Sequence, residues 1–238
     1  MHTFRIQYLS NLFLGTAKSV LQNPAKQIQP NAPYLALLGN IGRANCPETK
    51  DFLGWAENNF QRIYWVPGPL EYSSHSLTWR QRADATYTFL RTSGFKKTVF
   101  CQKYMEPLAS GFLLATPTWH LGFSAGFDGQ ITDWSSYGSQ VALDMKQMFD
   151  LQDDETNWIL RNSAKKSSSV FLLTYSPISY TTLENQNILF HLYGTGYETG
   201  DQSVCGGTNP WVGINSATSS YFKPDGFIEF KTGVPRYS

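Results

Sequence analysis

Four histidines, eighteen acidic residues and three cysteines are the side chains of this 238-residue chain that could hold a metal or carry a covalent step. None of His2, His75, His120 and His191 falls in an H-x-H, H-x-x-x-H or H-x-x-E cluster, the spacings that aim neighbouring ligands at one ion. The groups with the best claim to converge are Glu71, His75, His120, Glu198 and Asp201, a residual polar set from which a relocated metal or hydrolytic site would have to be built. Such a site needs three or four ligands and an outer shell that orients them, so loop and surface roles are the simpler expectation. No G-x-S-x-G elbow presents a nucleophilic serine. Gly39-Asn40-Ile41-Gly42-Arg43 has two glycines but not the dinucleotide fingerprint, and reads as a tight turn. Cys46, Cys101 and Cys205 form no C-x-x-C pair, and Cys46 and Cys205 lack a basic neighbour to activate them. Sparse cysteines in a chain this long read as reduced thiols of an intracellular, soluble protein.

The elements that must position these residues alternate along the chain. Phe4 to Leu9 reads Phe-Arg-Ile-Gln-Tyr-Leu, with the period of a strand. Tyr34 to Leu38, Arg62 to Val66, Val170 to Thr174 and Ile188 to Tyr193 are short apolar runs, as expected of buried strands. Further strands are expected at 98–101, 111–115 and 227–230. Helical spacing appears at 49–60 (Phe52, Trp55, Ala56, Phe60) and 76–91 (Trp79, Ala83, Tyr87, Leu90). It recurs at 135–149 (Val141, Met145, Met148, Phe149), and again at 153–166, which runs from acidic Asp153-Asp154-Glu155 to basic Lys165-Lys166 as a helix dipole favours. A Gly/Ser/Thr-rich stretch runs from Gly194 to about residue 220 as a long loop, and its glycine-rich part, Gly194 to Gly213, reads as either a partner-binding loop or a relaxed remnant. Alternation of strands and helices predicts an α/β fold with a mostly parallel sheet, and the strand-rich last third predicts a second sheet packed on the first. With no linker and no repeat, residues 1–238 read as a single domain.

Charged residues are 16% of the chain, aromatics 15%, and the formal net charge is +1. A balanced charge argues against a nucleic-acid partner, which would favour a basic excess. No apolar run is long enough for a membrane span. A surface thin in charge and rich in rings favours association with protein.

In open α/β sheets ligands sit beyond the carboxyl ends of strands. There this chain has Ser10-Asn11-Leu12-Phe13, Gly39-Asn40, Gly68-Pro69-Leu70-Glu71, Thr174-Tyr175 and Gly194-Thr195-Gly196-Tyr197. The order resembles the calcineurin-like metallophosphoesterase family, whose strands end in S-D-x-H, G-D, G-N-H-E, T-H and G-H-x-H. Ser10, Gly39, Gly68, Glu71, Thr174 and Gly194 match that frame. Ala115-Thr116-Pro117-Thr118-Trp119 is similar to the family's GTTLW segment, and Tyr221 to Ile228 to its closing strand.

Over nearly the whole chain the resemblance implies a four-layer α/β/β/α sandwich of the metallophosphoesterase type, built around two metal ions. The positions matching the metal ligands are degenerate: Asn11, Phe13, Asn40, Pro69, Leu70, Tyr175, Thr195 and Tyr197. Two-metal hydrolysis needs ions about 4 Å apart, held by imidazoles and carboxylates, to make hydroxide at neutral pH. Asn40 offers a neutral oxygen, Phe13, Pro69 and Leu70 offer no ligand atom, and phenols such as Tyr175 and Tyr197 ionise only near pH 10. Glu71, a supporting residue in the family motif, is retained.

The expectation is therefore no metal, no cofactor and no catalytic residue, with Phe13 and Leu70 meeting in a dry apolar cluster where metals would sit. The implied function is a pseudoenzyme, a structural or protein-interaction subunit of a larger assembly, cytoplasmic or in a virion. The alternatives are a phosphoesterase or other hydrolase with a rewired or metal-independent site, and a non-catalytic phosphate or nucleotide binder.

Overall fold

The computed structural model describes residues 4–17, 19, 21, 23–109, 111–119, 131–134, 140–164, 169–176, 178, 180–183, 188–194, 202–204, 211–215, 227–231 and 234–237. The chain opens with β1 (Phe4–Leu9), α1 (Pro24–Gln27), β2 (Tyr34–Leu38), α2 (Pro47–Asn59), β3 (Arg62–Val66), α3 (Pro69–Tyr72) and α4 (Trp79–Thr92). There follow β4 (Thr98–Phe100), β5 (Tyr104–Leu108), β6 (Gly111–Thr116), β7 (Thr132–Trp134), β8 (Gln140–Ala142) and α5 (Met145–Ala164). The last elements are β9 (Val170–Thr174), α6 (Tyr180–Leu183), β10 (Ile188–Tyr193), β11 (Gln202–Val204), β12 (Trp211–Asn215), β13 (Phe227–Lys231) and β14 (Val234–Tyr237).

Two six-stranded sheets result, in the orders β14-β13-β1-β2-β3-β4 and β11-β12-β10-β9-β6-β5, with β7-β8 as a separate hairpin. The first is parallel from β1 to β4 and antiparallel at β13 and β14. The second is parallel from β12 through β10 and β9 to β6, and antiparallel at β11 and β5. The expected parallel sheet is thus correct for the centres, while both sheets are mixed at their edges. Chain length explains one such edge: β5 and β6 are joined by two residues, which permits only an antiparallel pair.

Side-chain parity sorts the second sheet into two faces. Leu113, Ala115, Phe171 and Leu173 share an apolar cluster with Ile6, Leu37, Ile63 and Trp65 of the first sheet. Phe4 of the first sheet and Phe171 of the second stand with ring centroids 5.0 Å apart. The alternate residues Leu114, Val170 and Leu172 instead join Ile159 of α5 and Leu183 of α6. Phe52, Leu53 and Ala56 of α2 and Ala83 and Leu90 of α4 belong to the cluster that holds the first sheet.

Two helices begin where side chains can cap them. Thr78 and Gln81 exchange hydrogen bonds at the start of α4, Gln81 N to Thr78 Oγ1 at 3.3 Å and Thr78 N to Gln81 Oε1 at 2.9 Å. Asp144 and Gln147 do the same for α5, at 2.7 and 2.9 Å. The cap at Asp144 corrects the two helices expected at 135–149 and 153–166: residues 140–142 are a strand, and one helix of 20 residues runs from Met145 to Ala164. The acidic run at 153–155 begins no new helix, and Glu155 points inward, 6% exposed. On α4 the buried row is Arg82, Ala83, Thr86 and Leu90, while Tyr87 is 42% exposed. Within the stretch expected to be one long loop lie β11 and β12. Among the described residues no helix is long and apolar enough to cross a membrane.

The two sheets touch where β10 ends. A Cβ added to Gly194 would stand 1.7 Å from the Leu38 carbonyl oxygen at the end of β2. Gly194→Ala must therefore push the strand ends apart, with an expected loss of about 3 kcal/mol, the upper part of the range for overpacked sites. Urea unfolding of the variant checks this; an unchanged midpoint would show that the two ends are free to separate.

Candidate functional site

The residues at the carboxyl ends of β1, β2, β3, β9 and β10 meet at one place. The chain after β1 runs beside the chain after β2, with Asn11 N to Gly39 O at 3.0 Å, Phe13 N to Asn40 O at 2.9 Å and Leu14 N to Ile41 O at 2.8 Å. Along this pair Asn11, Phe13 and Asn40 have φ of 54°, 51° and 54°. Asparagine tolerates that left-handed conformation, and phenylalanine adopts it rarely.

Asn40 is the hub. Its Nδ2 donates to Asn11 Oδ1 at 2.9 Å and to the Tyr175 hydroxyl at 2.9 Å, and its Oδ1 accepts from Leu70 N at 3.1 Å. Asn11 Nδ2 in turn donates to Gly194 O at 3.0 Å and Ser10 Oγ at 3.1 Å. Tyr175 reaches the hub by lying across two glycines: an added Cβ would be 2.0 Å from its ring at Gly39 and 3.0 Å at Gly68. Asn40 and Tyr175 are both buried.

Glu71 holds the floor. Its Oε2 accepts from Gly68 N at 2.7 Å and Asn40 N at 3.0 Å, and its Oε1 from Ile41 N at 2.6 Å and Gly42 N at 3.2 Å. The residue is 2% exposed. Burial pushes its carboxyl pKa up, and the backbone donors oppose that shift. Pro69 and Leu70 begin α3, both buried.

These residues do not fit a pair of metal ions. The amide nitrogen of Asn40 faces inward, and its oxygen is engaged by Leu70 N. Among the described residues no group of three or more His, Cys, Asp and Glu side chains could hold an ion. His75 is exposed in the loop after α3. Thr195, Tyr197, His120, Glu198 and Asp201 lie outside the described residues. The apolar cluster expected of Phe13 and Leu70 is corrected: neither belongs to the apolar clusters of the described residues, and the centre is filled by amides and a phenol. Leu70 N explains this, since a buried backbone donor needs an acceptor that an apolar plug could not supply.

Two features beside the centre were not singled out by sequence. His191 on β10, fully buried, stands 2.8 Å from Thr174 Oγ1 through Nε2. Thr174 spends its hydroxyl proton on Ser176 O at 2.7 Å, so His191 Nε2 carries the hydrogen of that contact. Burial pushes the imidazole pKa down to about 3. The other feature is Arg82, buried on α4; its trace in the sequence is the row Arg82, Thr86, Leu90 beside the expected apolar stripe.

No family pattern matches the chain, and no curated protein matches it. Among solved structures, phosphopantetheinyl hydrolase from Mycobacterium tuberculosis matches with a TM-score of 0.58 and 11% identity, over 88% of this chain and 89% of that one. The fold is metallophosphoesterase-like. Vacuolar protein sorting 29 from Cryptosporidium parvum matches with a TM-score of 0.40 and 8% identity, over 99% of this chain and 96% of that one. At 11% identity the likeness to the hydrolase is one of fold.

Two outcomes follow from this geometry. Glu71→Gln turns two of the four accepting positions into a donor facing N–H groups, with an expected loss of about 3 kcal/mol in urea unfolding. A loss below 1 kcal/mol would mean that the loops do not depend on the carboxylate. For His191 the folded pKa lies below the unfolded value of about 6.5, so its contribution is complete above that pH and is lost as pH falls toward about 3. Stability measured from pH 7 to 4 is expected to fall by up to about 1.4 kcal/mol per pH unit from this group. In His191→Gln that part of the slope disappears; identical slopes would contradict it.

Proposed function

We propose that this chain is a catalytically inactive metallophosphoesterase-like protein that serves as a structural or protein-interaction subunit of a larger assembly. In this reading its layers run helix, sheet, sheet, helix, and the strand ends that hold metals in active relatives have become a closed polar plug. The observation that carries the proposal is Asn40, whose amide donates to Asn11 and Tyr175 and accepts from Leu70 N. A group so engaged turns its N–H donors toward the centre and gives one oxygen lone pair to Leu70 N, and none of Asn11, Tyr175 and Leu70 supplies a carboxylate to balance a cation's charge.

Support for the assembly role is compositional. Charged residues make up 16% of the chain, against roughly 25% in ordinary soluble domains. Met145 and Phe149, one turn apart on α5, are 64% and 45% exposed. A net charge of +1 favours protein over nucleic acid as the partner. The proposed setting is a large particle, a virion being one example.

Purified protein is expected to contain no stoichiometric metal by elemental analysis. In excess manganese it is expected to hydrolyse a generic phosphodiester no faster than the buffer blank. Bound metal near one equivalent or metal-dependent turnover would overturn the inactive reading. Native sizing addresses the assembly: the chain is expected in a large complex, and a lone monomer in native material would overturn that part.

A further inference from the structure

Glu155 is a buried acid that the plug does not use. It stands midway along α5, 6% exposed, and its Oε2 has no hydrogen-bond partner among the described residues. A carboxylate so placed is strongly unfavourable, and the group escapes the penalty by taking up a proton.

The position matters because α5 grips the protein weakly there. Of its 20 residues only Met148, Glu155, Ile159 and Ser163 are buried. Met148, with half-buried Leu151, belongs to the cluster shared by both sheets. Ile159, with Trp158 and Leu160, belongs to the cluster on the other face of the second sheet. Glu155 lies where the helix passes from one cluster to the other. Its carboxyl group faces Thr116 at the end of β6 and Thr118 and Trp119 in the loop that follows. Trp119 is 1% exposed and stacks on Tyr72 with ring centroids 4.9 Å apart. The same loop is tied to the one after β9, with Tyr175 N donating to Pro117 O at 3.0 Å and Ser176 N to Thr118 Oγ1 at 3.2 Å.

Two other groups act on Glu155 among the described residues. Lys103, after β4, favours its charge, but the Lys103 ammonium is bonded to Asp154 on the exposed side of the helix. Tyr72 of α3 is buried, and its phenol stays un-ionised. Burial outweighs Lys103 and the donors of Thr116, Thr118 and Trp119, and pushes the Glu155 carboxyl pKa up to about 8.

We propose that Glu155 is a proton-operated latch that holds the middle of α5 on the loop after β6. With the proton on, the helix lies closed over Trp119. Once the proton is lost, the carboxylate draws that part of the helix toward water and uncovers the loop tied to Tyr175. Segments with few buried apolar side chains open locally in this way. The docked pKa lies above the ordinary glutamate value of about 4.3. The contribution of Glu155 to docking is therefore complete below that value and is lost as pH rises through about 8. Between pH 6 and pH 8 the opened fraction of α5 is expected to rise about 50-fold. The latch lies outside the Asn40–Tyr175 hub, so it holds whether or not the chain is inactive.

The test is amide hydrogen exchange of the whole chain at pH 6 and pH 8, corrected for the exchange rate of free peptide. Protection in α5 is expected to fall about 50-fold from pH 6 to pH 8, with α4 unchanged. Glu155→Gln, which cannot ionise, is expected to keep its α5 protection at pH 8. If Glu155→Gln fails to fold, Glu155→Leu carries the comparison. Constant α5 protection in the parent, an equal fall in the variant, or an equal fall in α4 would overturn the latch.

Discussion

Four backbone N–H groups from two loops close on one buried carboxylate, and the geometry of the strand ends follows from that contact. Glu71 binds Gly68 at the end of β3 and Asn40, Ile41 and Gly42 after β2. The loop after β1 then pairs with the loop so fixed, through Asn11, Phe13 and Leu14. A carboxylate is the only common side chain that offers four acceptor positions in a plane without a donor. It lets both loops turn sharply inside the protein with their N–H groups satisfied. The frame of the fold thus has a fastening that needs no ion.

Once the loops are fastened, the space above them has to be filled by groups that satisfy the backbone facing it. Leu70 N requires an acceptor, and Gly194 O and Ser10 Oγ accept from the same network. A pair of amides and a phenol meets these demands. Gly39 and Gly68 make room for the phenol, since both lack the Cβ that would strike its ring. The left-handed backbone at Asn11, Phe13 and Asn40 directs successive side chains from a tight pair of loops toward one centre. Such strain persists where the surrounding structure over-determines it.

The strands that carry this centre were legible because each is an apolar run closed by a polar or turn-forming residue. Tyr34 to Leu38 and Arg62 to Val66 begin and end as their sequence reads, and so do Val170 to Thr174 and Ile188 to Tyr193. β7, β8 and β11 escaped notice because Thr-Asp-Trp, Gln-Val-Ala and Gln-Ser-Val are short and lack the apolar run that marks Thr98 to Phe100; pairing, not pattern, holds them. α5 was split because the acidic run at 153–155 imitates a helix start, whereas the cap lies at Asp144. In the centre, the residue types at Asn11, Asn40 and Tyr175 were readable, and their mutual bonding was not. That bonding depends on two glycines far apart in the chain standing under one ring. Arg82 was hidden for a related reason: an arginine on a helix reads as a solvated face until packing buries it.

The plug around Asn40 bears on how such a centre could change over generations. A carboxylate at position 40 would set an acceptor against Asn11 Oδ1, where an N–H now stands. It would also force the Tyr175 hydroxyl to reverse its role from acceptor to donor. A histidine at 175 would lift the ring from Gly39 and Gly68 and leave the space between the loops unfilled. Each step toward a metal-holding centre therefore lowers stability before any benefit can appear, and only several together restore a consistent set of bonds. In evolutionary terms the three side chains are epistatic, and the path between a plugged centre and an ion-holding one has a valley in it.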